Sequence, residues 1–290
     1  KQLPKSAIQE LRKIYEYAKQ EKNVSQMMKA HLTRASLCID ITPDSLDSEL
    51  SALKAWMEEE KDTVYQAILN NLLGYYILDT GKKDETAIDT AIAYFQRSLQ
   101  DKEILFRKSA VDYHPMTNSK ELSEKYCGDN MYQLLARQAI SRLSGYFIAN
   151  PVSAEKIQNE ILSIYDGLID FYRQQGMTDA RLLLMLDKLH YKGNDVSRGG
   201  VNEKLRLTDE QVITLLKQWA EEFADSPLCG EVYCQLAERY DRMQDYTAKL
   251  KAAQTGLAKY PRSLSANDLK EQIAEVLTPR LMVEIPFAYP

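Results

Sequence analysis

Apolar residues return every third or fourth position through most of this chain, the spacing of one helical face. Ile8, Leu11, Tyr15 and Ala18 form the first such stripe, behind a Pro4 placed where a first helical turn tolerates proline. Met28, Leu32, Ala35 and Ile39 form the second. Thr42-Pro43 then reads as a helix start, a hydroxyl to cap free N–H groups followed by a proline whose missing N–H costs nothing there. Leu46, Leu50, Leu53 and Met57 follow, then Val64, Ile68, Leu72 and Tyr75 up to Gly81, then Ile88, Ile92, Phe95 and Leu99. Five helices joined by such short links are expected to lie as antiparallel neighbours.

Residues 101–129 break the rhythm; with His114-Pro115 and Cys127-Gly128 they read as loop with one short helix and as the place for a sub-division. Tyr132, Leu135, Ala139 and Leu143 resume the period up to Asn150-Pro151. Ser153 is expected to cap a long helix carrying Ile157, Ile161, Ile164, Leu168 and Phe171, ended by Gly176. An apolar helix over 179–190 precedes a second irregular stretch, 192–206, with Gly193 and Gly199-Gly200. Thr208-Asp209-Glu210-Gln211 has the pattern of a capping box, opening a helix with Val212, Leu215, Trp219 and Phe223. Two further helices are predicted between Pro227 and Pro261, and a last one after Ser265 with Leu269, Ile273 and Leu277. The period then changes to two at Leu281, Val283, Ile285 and Phe287, which predicts a strand. A lone strand cannot satisfy its backbone in a helical stack, so this reads as the start of a following β domain over 280–290.

Composition fits that picture. Only 11 Gly and 9 Pro interrupt 290 residues, and 44% hydrophobic with 27% charged residues is ordinary for a folded chain. A net charge of −5 without a Lys/Arg cluster argues against nucleic-acid binding. No apolar run reaches the roughly 18 residues that span a bilayer. The opening Lys1-Gln2-Leu3-Pro4 is not a signal peptide, though it could remain after removal of one.

Chemistry-bearing residues are sparse. Cys38, Cys127, Cys229 and Cys234 form no C-x-x-C pair, and the last two stand five apart, on poorly matched helix faces. His31, His114 and His190 fall in no zinc-binding spacing, and only His114, in a loop, remains a candidate ligand. Glu58-Glu59-Glu60 and Glu221-Glu222 read as solvated faces. There is no phosphate-binding glycine loop and no nucleophile elbow, so neither an enzyme nor a cofactor is expected. An all-helical carbohydrate-active enzyme would need paired acids about 5 to 10 Å apart on inward faces, and the apolar faces carry none. Eighteen tyrosines are accounted for by seams between helices, or by a peptide groove, for which Tyr75, Tyr76 and Tyr191 are candidates.

One segment carries more pattern. From Tyr233 to Pro261 the chain resembles a tetratricopeptide repeat: Tyr233, Leu236, Ala237 and Tyr240 stand at first-helix offsets, Tyr246 at the turn, Gly256 late in the second helix and Pro261 at the close. Small residues let the helices approach, aromatics fill the seam and the proline ends the unit. Lys249 stands where Ala is usual and Ala253 where an aromatic is usual. Ala91, Phe95 and Ser98, after Gly74, repeat part of the second-helix spacing with too long a turn. Residues 1–279 are therefore expected to form an α-α superhelix, a degenerate TPR-like helical repeat solenoid.

More widely, Leu3-Pro4-Lys5-Ser6-Ala7 with Ile14-Tyr15, the Lys29-Ala30 helix, Asp62-x-x-Tyr65-Gln66-Ala67-Ile68, the repeat, and the turn into Pro279-Arg280-Leu281 resemble the N-terminal helical region of bacterial alpha-2-macroglobulin-like proteins. Residues 102–129 depart from that family's pattern. The resemblance implies a parent protein in the cell envelope, periplasmic or anchored to the outer membrane, with a string of β domains downstream and a protease-trapping role for the whole. It implies for this region a scaffold or docking role toward protein partners. A helical nutrient-binding protein of the envelope is the alternative among non-enzymes.

Overall fold

The computed structural model describes residues 3–41, 44–79, 85–113, 129–149, 154–193 and 207–278. Among them are thirteen α-helices, one 3-10 turn and no strand, so the protein is all-α. The Thr42-Pro43 start, the stops at Gly81 and Asn150-Pro151, the Ser153 cap, His114, Cys127, Gly199-Gly200 and the expected strand at Leu281, Val283, Ile285 and Phe287 lie outside the described residues, as does the side chain of Cys38. The chain forms two compact units, Lys1–Leu168 with Asp195–Asn202, and Ile169–Asn194 with Glu203–Pro290. They part within a helix, whereas the sequence suggests a sub-division near 101–129.

The first unit holds α1 (Leu3–Gln20), α2 (Val24–Ile41), α3 (Asp44–Glu59), α4 (Thr63–Asp79), α5 (Glu85–Ser98), the short α6 (Lys102–Phe106), α7 (Met131–Ala149) and most of α8 (Ala154–Gln174). α1 and α2 join through a tight turn in which Lys22 takes a positive φ of 54° and the Asn23 carboxamide oxygen accepts from Gln26 N–H at 3.1 Å. Asp62 caps α4 the same way, accepting from Val64 and Tyr65 N–H at 2.9 and 3.0 Å.

α4 is the axis of this unit. Sequence spacing assigns it one stripe, Val64, Ile68, Leu72 and Tyr75, yet Leu69, Leu73, Gly74, Tyr76 and Leu78 are buried while Leu72 and Tyr75 are only half-buried. The cause is its position: α3, α5, α6 and α7 all pack on it, and a helix surrounded by neighbours is apolar around its circumference. Its buried Asn71 is tied in, donating to Ser98 Oγ at 3.2 Å and to the Leu135 carbonyl at 3.1 Å. On α8, Ile157, Ile161, Ile164 and Leu168 are all buried.

The second unit holds the end of α8, α9 (Thr178–Gly193), α10 (Asp209–Glu222), α11 (Cys229–Arg242), α12 (Tyr246–Lys259) and α13 (Ala266–Leu277). Gly176 ends α8 with φ +69°, the left-handed conformation that releases the chain toward α9. Thr208 and Gln211 cap α10 reciprocally, at 3.3 and 2.9 Å. Its core face is Val212, Ile213 and Leu216 with Phe223 beyond, a residue away from the expected Leu215 and Trp219, which are half-buried. Between α11 and α12 Gln244 adopts φ 59°, and Asp245 caps α12 by accepting from Ala248 N–H at 2.9 Å. Glu231 braces the next link, accepting from Ser265 N–H at 2.8 Å and from the Ser265 hydroxyl.

Candidate functional site

The predicted repeat residues lie on the α11–α12 pair. Leu236 and Ala237 are buried at 4% and 0% exposure, and Gly256 is buried against Tyr233. Tyr233 and Tyr240 are half-buried, and the Tyr233 ring meets that of Tyr260 at 5.9 Å between centroids. Tyr246 differs from expectation: it is the first residue of α12, directly after the Asp245 cap, and is 53% exposed, so it fills no seam. Pro261 is also exposed, just after the residue that ends α12. Lys249, in a position the repeat pattern gives to alanine, is buried, with its ammonium 2.8 Å from Asp241 on α11 and 2.7 Å from Glu275 on α13. Burial alone would lower the pKa of that ammonium; the two carboxylates more than offset it and leave the pKa raised.

On their other side α11 and α12, together with α10, enclose a groove of about 810 Å³. α11 supplies its floor and end walls through Tyr233, Leu236 and Tyr240, at spacings of three and four that put them on one helix face. α10 and the turn after it form one bank with Lys217, Ala220, Glu221 and Ala224, and α12 the other with Ala248, Lys251, Ala252, Thr255 and Lys259. The side chains at 220, 224, 248 and 252 are all alanine, so both banks carry small residues beside their lysines. Lys217, Lys251 and Lys259 are exposed and have no carboxylate in ion-pair reach among the described residues. Lys217 instead lies over the Tyr240 ring, 5.8 Å from its centroid. The trough combines an apolar floor, aromatic ends and three ammonium groups against one carboxylate, Glu221.

The thiols here are not poised for chemistry. Cys229 and Cys234 are both buried and free; burial raises the pKa of each, to about 12 for Cys234, so both stay protonated.

Two polar sites occupy the first unit. In one, Arg34 of α2 donates to Glu49 of α3, with Nε at 2.7 Å and Nη2 at 2.6 Å from the same carboxylate oxygen, both residues being buried with His31. His31 Nδ1 lies 3.5 Å from both Arg34 Nη2 and Glu49 Oε2, and its Nε2 has no partner among the described residues; burial, with the Arg34 charge beside it, lowers its pKa to about 4. The ring packs edge-on to Tyr76, which is itself buried and therefore supplies no exposed groove aromatic; Tyr75 and Tyr191 are half-buried. The other site is an open cleft between α5 and α8, where Lys156 contacts Asp89 and reaches Glu85 at 3.3 Å, and Gln96 donates to Glu160 at 2.8 Å. Burial raises the Glu160 pKa, and the hydrogen bond from Gln96 opposes it.

Among the described residues no group of three ligand-type side chains is placed to hold a metal ion, and no helix is long and apolar enough to cross a membrane. No protein-family model, curated protein or solved structure matches the chain.

Of the groove, the α11 face is legible in the sequence; its lysines are not, since 217 and 251 come from helices whose adjacency only the fold supplies.

Proposed function

We propose that this chain is a non-catalytic helical interaction domain and that the trough between α10 and α12 receives a segment of a protein partner or of a neighbouring domain. The observation that carries this reading is the trough itself: a solvent-open channel with an apolar floor at Leu236 and three lysines that no carboxylate among the described residues pairs with. Concave surfaces of mixed apolar floor and convergent polar rim are the usual form of a binding site. We place this domain, on the resemblance of its segments, in a large alpha-2-macroglobulin-like protein of the cell envelope, where it docks other domains or partners and leaves protease trapping to the parent protein's β domains.

Photo-crosslinking in the full-length protein tests the reading. A benzophenone amino acid at Lys251, in the trough, should give crosslinks to another protein or to a downstream domain. The same probe at Gln9, on the exposed face of α1, should not give those products. Absence of crosslinks from position 251, with the protein folded, overturns the reading.

A further inference from the structure

The trough has a direction and a charge pattern that specify more than protein binding in general. Lys251 and Lys259 stand on the same bank, eight residues apart on α12, which separates their positions by about 12 Å along the helix at 1.5 Å per residue. An extended peptide advances about 3.3 Å per residue and repeats its side every second residue. Acidic residues four apart on such a peptide are therefore spaced by about 13 Å on one side, close to the separation of these two lysines. The other side of the peptide would face the α10 bank, which is low at Ala220 and Ala224 and carries Lys217 at its Tyr240 end. Among the described residues Glu221 is the single carboxylate lining the trough, and it shares that α10 bank, so the charges of the α12 bank are both cationic.

We infer that the trough takes an extended acidic segment of a protein, with carboxylates four residues apart meeting Lys251 and Lys259 and apolar side chains directed toward Leu236, Ala220 and Ala224. This rests on the groove reading above and adds the chemistry of its occupant. The chain as a whole carries −5, so a cationic trough is a local exception to its charge and attracts anionic segments against a repelling background.

The test uses the full chain and a fluorescein-labelled dodecapeptide of alternating glutamate and leucine, followed by fluorescence anisotropy. A lysine–leucine peptide of the same length and a twenty-residue oligothymidylate are measured in parallel. Binding of the glutamate peptide should weaken as salt is raised, and should fall at least tenfold in the double variant Lys251→Glu with Lys259→Glu. Both positions are exposed, and an unchanged circular dichroism melt confirms that the variant is folded. Equal binding of the lysine peptide, indifference to the double substitution, or failure of the glutamate peptide to bind would each overturn the inference. Tighter binding of the oligonucleotide would overturn it in favour of a nucleic-acid ligand. Crosslinks from position 251 that persist in any of those cases keep the groove reading and remove only the acidic occupant; loss of both removes both.

Discussion

Gly256 of α12 lies so close to Tyr233 of α11 that a Cβ added to the glycine would fall 2.5 Å from the tyrosine Cβ. That atom is anchored to the α11 backbone and cannot swing aside, so the contact sets the separation of the two helices. It also fixes where Tyr233 ends the trough.

Two glycines of this chain should therefore respond to the same substitution with opposite signs. Gly256→Ala gains helix propensity but forces α11 and α12 apart, and overpacking of this kind destabilises by about 1–3 kcal/mol. Gly145, on the exposed side of α7, has nothing among the described residues within 4 Å of an added Cβ. There Gly→Ala should stabilise by about 0.5–1 kcal/mol through propensity alone. Urea denaturation of both variants checks the pair, and a stabilising Gly256→Ala would show that the helices have room to spare.

Lys249 predicts an asymmetry. It is the buried member of its triad, whereas its partners Asp241 and Glu275 keep 49% and 56% of their side-chain surface in water. Lys249→Met removes the buried charge, retains the stem's packing and lets both carboxylates re-solvate, so stability should change by less than about 1.5 kcal/mol. Asp241→Asn with Glu275→Gln instead leaves an uncompensated buried ammonium, a loss of about 3–5 kcal/mol. Equal losses in the two variants would mean that the ion pairs themselves hold α11, α12 and α13 together.

How far the residues alone announce all this depends on the kind of feature. Local chemistry is readable: the Thr208–Gln211 cap and the Gly176 stop need only a few neighbours in sequence, and both form as patterned. Stripes are readable to within a residue. In α10, apolar side chains at 212, 213, 215 and 216 support two nearly equal faces, and packing on α11 decides between them. Features that depend on several helices meeting are not readable. The burial of His31 depends on Arg34 and Glu49 arriving from two helices, and Asn71 is satisfied only because Ser98 and the Leu135 carbonyl converge on it. Lys251 and Lys259 look like any solvated helix face until α10 is placed across from them.

Acid should weaken the first unit through His31. In the unfolded chain its imidazole takes a proton near pH 6.5; in the fold, burial beside Arg34 delays this to about pH 4. Between those values the unfolded state binds more protons, so stability is complete above pH 6.5, falls as pH drops through the window and levels off below 4. A window of that width corresponds to a loss on the order of 3 kcal/mol. Urea denaturation at pH 7.5 and pH 4.5 should show this decline in the wild-type protein and a smaller one in His31→Met. A decline unchanged by the substitution would assign the acid sensitivity to other groups.

The trough floor makes the last separation between folding and binding. Leu236 is 4% exposed, so Leu236→Ala should destabilise the second unit by about 2–5 kcal/mol, the range for truncating a buried leucine. Lys217, Lys251 and Lys259 are exposed, and removing one such charge at a surface should change stability by less than about 0.5 kcal/mol. A rim of this kind acts on association with charged partners more than on folding. Urea denaturation and acidic-peptide anisotropy on Leu236→Ala and Lys251→Ala should therefore move in opposite patterns: the first loses stability, the second loses affinity at unchanged stability. Loss of stability in Lys251→Ala would make that lysine part of the packing, and the trough would then have one fewer group to offer a partner.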